Sequence, residues 1–198
     1  KTMKNNFLKT ISNKFLIIAF FTTILTACAN EPKQMVLSAQ IPIYNSIAYM
    51  GKSAKIKISD LRNKAYIIAI HRKGEASELI PVSRSLVDVI GGSYKKALIN
   101  SGLKNSSSSN SSIHLTIDEA KIDVDQKMVT YKTVDQLTLT VRVTSEKGVF
   151  TKTFNNKGKS DGGLSADLAV LERNFNQNMT KLLLKIVNDS EIQEFLEI

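Results

Sequence analysis

The chain has 198 residues, 42% of them hydrophobic and 23% charged, which is enough for one domain of ordinary size to bury a core. Its formal net charge is +9, but four lysines lie in the first 27 residues, which leaves +5 for the remainder. The remaining basic residues are scattered and there is no tryptophan, so composition argues against a nucleic-acid partner and favours a solvated basic surface.

The amino-terminal stretch has the composition of an export signal. Lys4, Lys9 and Lys14 precede or flank an apolar run from Phe15 to Leu25. As a helix this run would span about 16 Å, roughly half of the hydrocarbon core of a bilayer. It is therefore typical of a signal peptide and not of a membrane-spanning helix, and we predict a cleaved signal at residues 1–27.

Cys28 is the only cysteine, and it stands directly after Leu25-Thr26-Ala27, where the signal should end. No second cysteine is present for a disulfide, and a thiolate is a strong nucleophile. The Leu-Thr-Ala-Cys order resembles the lipobox of bacterial lipoproteins. That resemblance implies a diacylglycerol on the sulfur of Cys28, acylation (for example by palmitate) of the new amino terminus, and a lipidated tether at residues 28–34. A secreted protein with a stray cysteine and an uncleaved helical anchor remain alternatives.

Ala29 follows the cysteine where an aspartate would favour retention at the inner membrane. By resemblance to enterobacterial sorting, this residue implies a place in the outer membrane, with the domain facing the periplasm.

Residues 35–198 predict a single α+β domain. The cleanest strand runs from Leu137 to Val143, where apolar and polar residues alternate. One long helix is predicted from Ser83 to Ser101, where Gly91-Gly92 would either permit close packing or split it, and a second begins at the cap Ser165. Glycines and charges predict a mobile loop from Asn155 to Gly163. The order of elements predicts a mainly antiparallel sheet with two long helices packed on one face and a polar opposite face.

The whole chain resembles the YajG-type lipoproteins of Gram-negative bacteria. The resemblance is carried by the lipobox, the length, the order of elements and the tail from Asp189 to Leu196, which has the serine-isoleucine-acid-phenylalanine pattern of that family. It implies a chemical role for Cys28 alone and supplies no catalytic residue.

The densest acidic stretch contains Asp118, Glu119, Asp123 and Asp125. Such carboxylates could hold Ca²⁺ or act as a catalytic pair, but there is no calcium-loop pattern and a solvated acidic turn is favoured. The two histidines, His71 and His114, have no thiol partner for a zinc site. We therefore expect no metal, no cofactor and no catalytic residue.

The sequence thus predicts a non-enzymatic, lipid-anchored envelope protein that acts as a binding or assembly accessory. Its partners would be the membrane, through lipid on Cys28, and an envelope protein, with no nucleic acid. Two alternatives are an enzyme acting on envelope polymers through the stretch Asp118 to Asp125, and a carrier of lipid or another small molecule. The identity of the partner and the oligomeric state do not follow from the sequence.

Overall fold

The computed structural model describes residues 33–42 and 47–196 of the chain. The predicted signal at residues 1–27 and the predicted lipidation site Cys28 lie outside these residues, as does most of the predicted tether. The described residues form an α+β arrangement in which helical segments pack on a seven-stranded sheet. In chain order the elements are β1 (Ser53–Asp60), β2 (Tyr66–Arg72), β3 (Glu78–Pro81), a π-helical turn (Val87–Gly91), α1 (Gly92–Asn100), β4 (Lys104–Asn105), β5 (Ser112–Gln126), β6 (Thr130–Ser145), β7 (Gly148–Gly163), α2 (Leu168–Val187) and α3 (Ser190–Phe195).

The sheet is mixed, so the prediction of a mainly antiparallel sheet is wrong in this respect. β5, β6 and β7 form an antiparallel meander joined by short turns, but β1 and β2 both run parallel to β5. They lie end to end along its free edge, since β1 pairs with residues 112–117 and β2 with residues 122–126. Parallel strands need a crossover connection, and the π-helical turn and α1 belong to the one that precedes β5. Alternation of side chains shows that a strand exists but does not encode the direction of its partner.

The first predicted long helix is present in a shorter form. The chain is helical without interruption from Leu86 to Asn100, and it changes from the π-helical turn to the nine-residue α1 at Gly91 and Gly92, so these glycines do not split it. Gly91 lies against β1, because a Cβ there would stand 2.7 Å from Cγ2 of Ile58. The close approach and the change of helix type therefore occur at the same glycine.

The second predicted helix is present as the 20-residue α2, which packs on the sheet along one apolar stripe. Its cap is Asp167, whose carboxylate accepts a hydrogen bond from the Ala169 amide at 2.8 Å, and not Ser165 as predicted. Asp189 likewise caps the short α3 through the Ile192 amide. The buried residues of α2 are Leu171, Phe175, Met179, Leu182, Leu183, Ile186 and Val187.

The segment from Asn155 to Gly163 is not a loop. It is the end of β7, which pairs residue for residue with β6 over its whole length. The glycines and charges that suggested a loop are tolerated because β7 takes only one neighbour and lies at the edge of the sheet.

Residues 36–42 run along the side of α2. Val36 donates its amide to Glu172 near the start of α2, and Ser38 donates to Asn176 one turn further on. Residues 39–42 then reach the level of Leu184 and Val187, with α1 on their other side. This segment therefore runs in the same direction as α2.

Candidate functional site

The helices cover one face of the sheet and leave polar side chains on the other. At alternate positions from Ile113 to Val124 on β5, and from Tyr131 to Val143 on β6, the side chains are buried on the helix side. On the opposite side, strand register aligns polar residues in rows across three strands. One row contains His114, Arg142 and Thr151, and the next contains Thr116, Thr140 and Thr153. We call this side of β5, β6 and β7 the open face.

The acidic stretch lies at an irregularity of the open face. The register of β5 against β6 shifts between Ile117 and Glu119, so that Asp118 has no paired residue on β6. Such a bulge bends the strand and changes the direction of its side chains. A cavity of about 460 Å³ opens there, between residues 61–66 and residues 118–121, and we call it the bulge groove.

Arg62 holds the wall of the bulge groove together. Its side chain is only 9% exposed, and its guanidinium donates to both carboxylate oxygens of Asp60. It also donates to the carbonyl oxygens of Tyr66 and Ala120, each at 3.4 Å. The planar, many-donor guanidinium suits this site, where β1 ends, β2 begins and both lie against β5. The arrangement explains how β5 stays paired across the break between the two strands.

The carboxylates of the bulge groove have partners among neighbouring side chains. Asp118 accepts a hydrogen bond from the Thr140 hydroxyl at 2.6 Å. Glu119 accepts from Gln136 and forms an ion pair with Lys121 at 2.8 Å. That bond to Glu119 is the main reason that the pKa of Lys121 lies above its ordinary value. The groove is thus a polar network whose charges are balanced by groups of the protein itself.

Asp123 and Asp125 follow along the same face of β5, where they pair in register with Val134 and Lys132 of β6. Asp123 lies 3.7 Å from the Lys121 ammonium and 3.8 Å from Nε2 of His71. The structure therefore brings Glu119 and Asp123 into one chain of contacts through Lys121.

The two histidines lie apart from each other. His114 is on the open face, and His71 is on the same side of the neighbouring strand β2. His71 contacts the Ser77 hydroxyl at 2.8 Å, and His114 contacts the Ser59 hydroxyl at 2.9 Å. Partial burial, with Lys57 and Arg142 nearby, holds the pKa of His114 below its ordinary value. Among residues 33–42 and 47–196, no group of three or more His, Cys, Asp or Glu side chains could hold a metal ion.

A polar contact on the helix side was missed by sequence reasoning. Asp135 of β6 is 8% exposed and accepts a hydrogen bond from the Asn178 amide of α2 at 2.7 Å. It lies over Gly158 of β7, where a Cβ would stand 2.2 Å from its carboxylate. The burial of Asp135 could have been predicted from the alternation of Leu137 to Val143. Two residues further toward the amino terminus, the same alternation places position 135 on the core side.

β7 forms an edge of the sheet. Its 16 residues pair with β6, and no other described strand pairs with it. We divide it into a first half, residues 148–155, and a second half, residues 156–163. The first half is joined to α3 on the helix side, where the Phe150 and Phe195 rings lie 5.5 Å apart and Lys152 forms ion pairs with Asp189 and Glu191.

Comparison with protein families decides the class of the molecule. The model of a family described as uncharacterized lipoprotein matches residues 39–197. The chain belongs to this lipoprotein family. The resemblance to YajG-type lipoproteins is thereby confirmed, and the matched residues contain all the strands and helices described above.

Solved structures are similar to this lipoprotein at low sequence identity, and the first of the three named below shares its fold. Protein XCC0632 from Xanthomonas campestris is 13% identical, with 80% of this chain and 95% of that chain covered and a TM-score of 0.56. Rare lipoprotein B from Shewanella oneidensis is 9% identical, with 71% and 96% covered and a TM-score of 0.43. A minor lipoprotein from Acinetobacter baumannii is 12% identical, with 70% and 91% covered and a TM-score of 0.33. The comparison with curated proteins found no match.

Family membership gives the lipoprotein its class but not the role of any residue. Cys28 lies outside both the matched segment and the described residues, so its lipidation stays a prediction. Within the part of the chain that the structure describes, no helix is long and apolar enough to cross a bilayer.

Proposed function

We propose that this lipoprotein is a non-enzymatic accessory of the cell envelope, held by lipid on Cys28 at the outer membrane with its domain in the periplasm. In this proposal the first half of β7 binds an extended segment of a partner protein. The observation that carries the proposal is the length of β7, which has 16 residues at the edge of the sheet, whereas strands usually have about five or six.

An edge strand presents unpaired amide and carbonyl groups that can pair with another chain, so proteins usually guard such edges with charges. The first half of β7 has Thr151 and Thr153 on the open face, and its single lysine is Lys152. The ammonium of Lys152 is engaged by Asp189 and Glu191 on the helix side, so its charge does not protect the edge. The second half, by contrast, presents Lys157 and Lys159 as further charges.

The bulge groove supports the non-enzymatic part of the proposal. A hydrolase with two carboxylates needs side chains that are free to transfer a proton or attack the substrate. Asp118 and Glu119 are instead bound to Thr140, Gln136 and Lys121. The contacts thus disfavour the alternative of an envelope-polymer hydrolase at this stretch.

Site-specific photo-crosslinking in living cells tests the proposal. A photoreactive residue at Thr153 should form a discrete protein adduct, and the same residue at Lys159, which is exposed on the same face of the same strand, should not. Thr153→Lys places a guarding charge on the first half of β7 and should remove adducts formed from a photoreactive residue at Thr151. Equal adducts from positions 153 and 159, or adducts unaffected by Thr153→Lys, would contradict binding at this edge.

A further inference from the structure

Three exposed apolar side chains lie together where β5 turns into β6. Met128 is 99% exposed, Val129 is 68% exposed and Leu164 is 75% exposed. Leu164 lies beside this turn because its amide donates to the carbonyl of Val129 at 2.9 Å. We call these three residues the apolar tip. Isolated apolar residues on a surface are ordinary, but an adjacent group of them points to an interaction site.

The backbone at Leu164 is strained in a way that keeps this side chain exposed. Its φ is 65°, and within the described residues it is the sole non-glycine residue with a positive φ. A bulky residue adopts this conformation at an energetic cost. Gln126 holds the segment in place, since its amide donates to the Leu164 carbonyl and accepts from the Ala166 amide, each at 2.9 Å. The strained backbone therefore does not bury the side chain of Leu164. It holds this side chain in an exposed position.

The polypeptide enters the domain from the direction of the apolar tip. Because residues 36–42 run in the same direction as α2, from Glu172 toward Val187, their amino-terminal end lies nearer the start of α2. Leu164 lies just before that start. Cys28 precedes Gln34 by six positions, and a chain spans at most about 3.6 Å per position, so Cys28 stays within roughly 22 Å of Gln34.

We propose that the apolar tip contacts the lipid bilayer that holds the anchor, so that the domain stands with this end toward the membrane. The proposal rests on the lipid anchor at Cys28. The charges next to the apolar tip favour neither anionic nor cationic lipid. Lys132 lies in register between Asp125 and Asp161, and Lys127 stands beside Met128, so there are two charges of each sign. The apolar side chains would enter the boundary between head groups and acyl chains, where exposed Met, Val and Leu side chains are stabilised.

A second group of exposed apolar residues lies toward the other end of the molecule. Ile47 and Met50 are 71% and 68% exposed, close to Ser101 at the end of α1. They adjoin residues 43–46, which the structure does not describe. The amino-terminal segment distinguishes the two groups. Traced from residue 42 back to residue 36, which is the direction of the anchor, it leads away from Ile47 and Met50 and toward the apolar tip.

Fluorescence quenching in vesicles tests which end meets the membrane. The chain contains no tryptophan, so a single substitution supplies the reporter. The acylated full-length lipoprotein carrying Met128→Trp would be placed in phosphatidylethanolamine and phosphatidylglycerol vesicles with brominated acyl chains. The matched control is Val149→Trp, 53% exposed beside the turn at the other end of β6, up to roughly 50 Å away along the strand. We expect at least about threefold stronger quenching at position 128 than at position 149, since only the former side chain would enter the bilayer.

Mass analysis of the same samples separates this inference from the proposal on which it rests. Acyl mass on Cys28 with equal quenching at the two positions would overturn the membrane contact and leave the anchor intact. Absence of acyl mass would overturn both. Leu164→Gly, made in the Met128→Trp background, should reduce the quenching without lowering the urea midpoint, because glycine takes the positive φ without strain. Unchanged quenching in that variant would remove Leu164 from the contact.

Discussion

The two halves of β7 meet the same neighbour, β6, with opposite packing arrangements. In the first half, β7 supplies the large side chains: Phe154 is buried in the core and the Phe150 ring lies against Phe195 of α3. In the second half, β7 supplies no bulk at two helix-side positions, because these are Gly158 and Gly162. There β6 fills the space, with Asp135 over Gly158 and the Tyr131 ring over Gly162.

The difference teaches how one edge strand can have a half without free charges and a half that carries them. The first half is fixed by its own side chains, so its backbone edge can stay regular without charges to protect it. The second half depends on side chains of β6 and carries Lys157 and Lys159, which discourage pairing with another chain. Under the proposed function, the first half binds a partner, and the second half leads back to the end of the sheet that carries the apolar tip.

The largest expected loss of stability comes from removing a large side chain from the first half of β7. Phe154→Ala should lower the free energy of unfolding by about 3–5 kcal/mol, because the ring is 2% exposed and its loss leaves a cavity in the core. Urea unfolding followed by circular dichroism measures this change. The matched control is Thr151→Ala, an exposed residue on the open face of the same half, whose effect should stay within about 1 kcal/mol, the range of strand propensities. Similar losses from both variants would show that β7 is not fixed by its own side chains at this half.

A smaller effect is expected from adding bulk to the second half. Gly158→Ala should cost about 1–3 kcal/mol, because its Cβ would overlap the Asp135 carboxylate, which is held by Asn178. Gly163→Ala is the control, since no atom lies within 4 Å of the Cβ there. The cost of Gly158→Ala should shrink in an Asp135→Ala background, because the overlap with the carboxylate is then gone and only the overlap with the Asn178 side-chain amide, at 2.7 Å, remains. An equal cost in both backgrounds would mean that Asp135 is not what fills this site.

The smallest expected effect is a pH dependence of stability, which arises at His114 on the open face near the first half of β7. His114 has a folded pKa below its ordinary value of 6.5, so the unfolded chain takes up a proton first as the pH falls. The stability that His114 contributes should therefore be present above pH 6.5 and decline below it. Comparing urea midpoints of the wild type and His114→Gln between about pH 7.5 and about pH 5 isolates this contribution. A difference between the two that does not change with pH would mean that neither burial nor the charges of Lys57 and Arg142 lower the pKa of His114.

Much of the fold could be predicted because it depends on local periodicity. The alternation from Leu137 to Val143 predicted buried residues correctly. The apolar stripe of α2 did so from Leu171 to Val187, but Leu164, with which the predicted stripe begins, is 75% exposed. The direction of β1 and β2 could not be predicted, since it is set by pairing with β5 far along the chain. The end of β7 resembles a loop in the sequence because glycine and charge are local signals, whereas the side chains that compensate for those glycines come from Tyr131 and Asp135.

The candidate site likewise has residues that stand out in the sequence and contacts that the sequence does not predict. The acidic residues from Asp118 to Asp125 stand out in the sequence, but their partners Thr140 and Gln136 are about 20 residues away and reach them only through the register of β5 and β6. Arg62 contacts the carbonyl of Ala120, 58 residues further on, and carried no sequence signal at all. The apolar tip likewise depends on a hydrogen bond between Leu164 and Val129 that no local pattern encodes.

Intact-mass analysis of the protein taken from its native membrane, beside a Cys28→Ala variant, tests the central claim of a lipid-anchored envelope protein most directly. We predict a chain that begins at Cys28 and carries the mass of a diacylglycerol and a further acyl group, with processing and acyl mass both lost in the variant. An unmodified chain, or one that retains residues before Cys28, would contradict this claim.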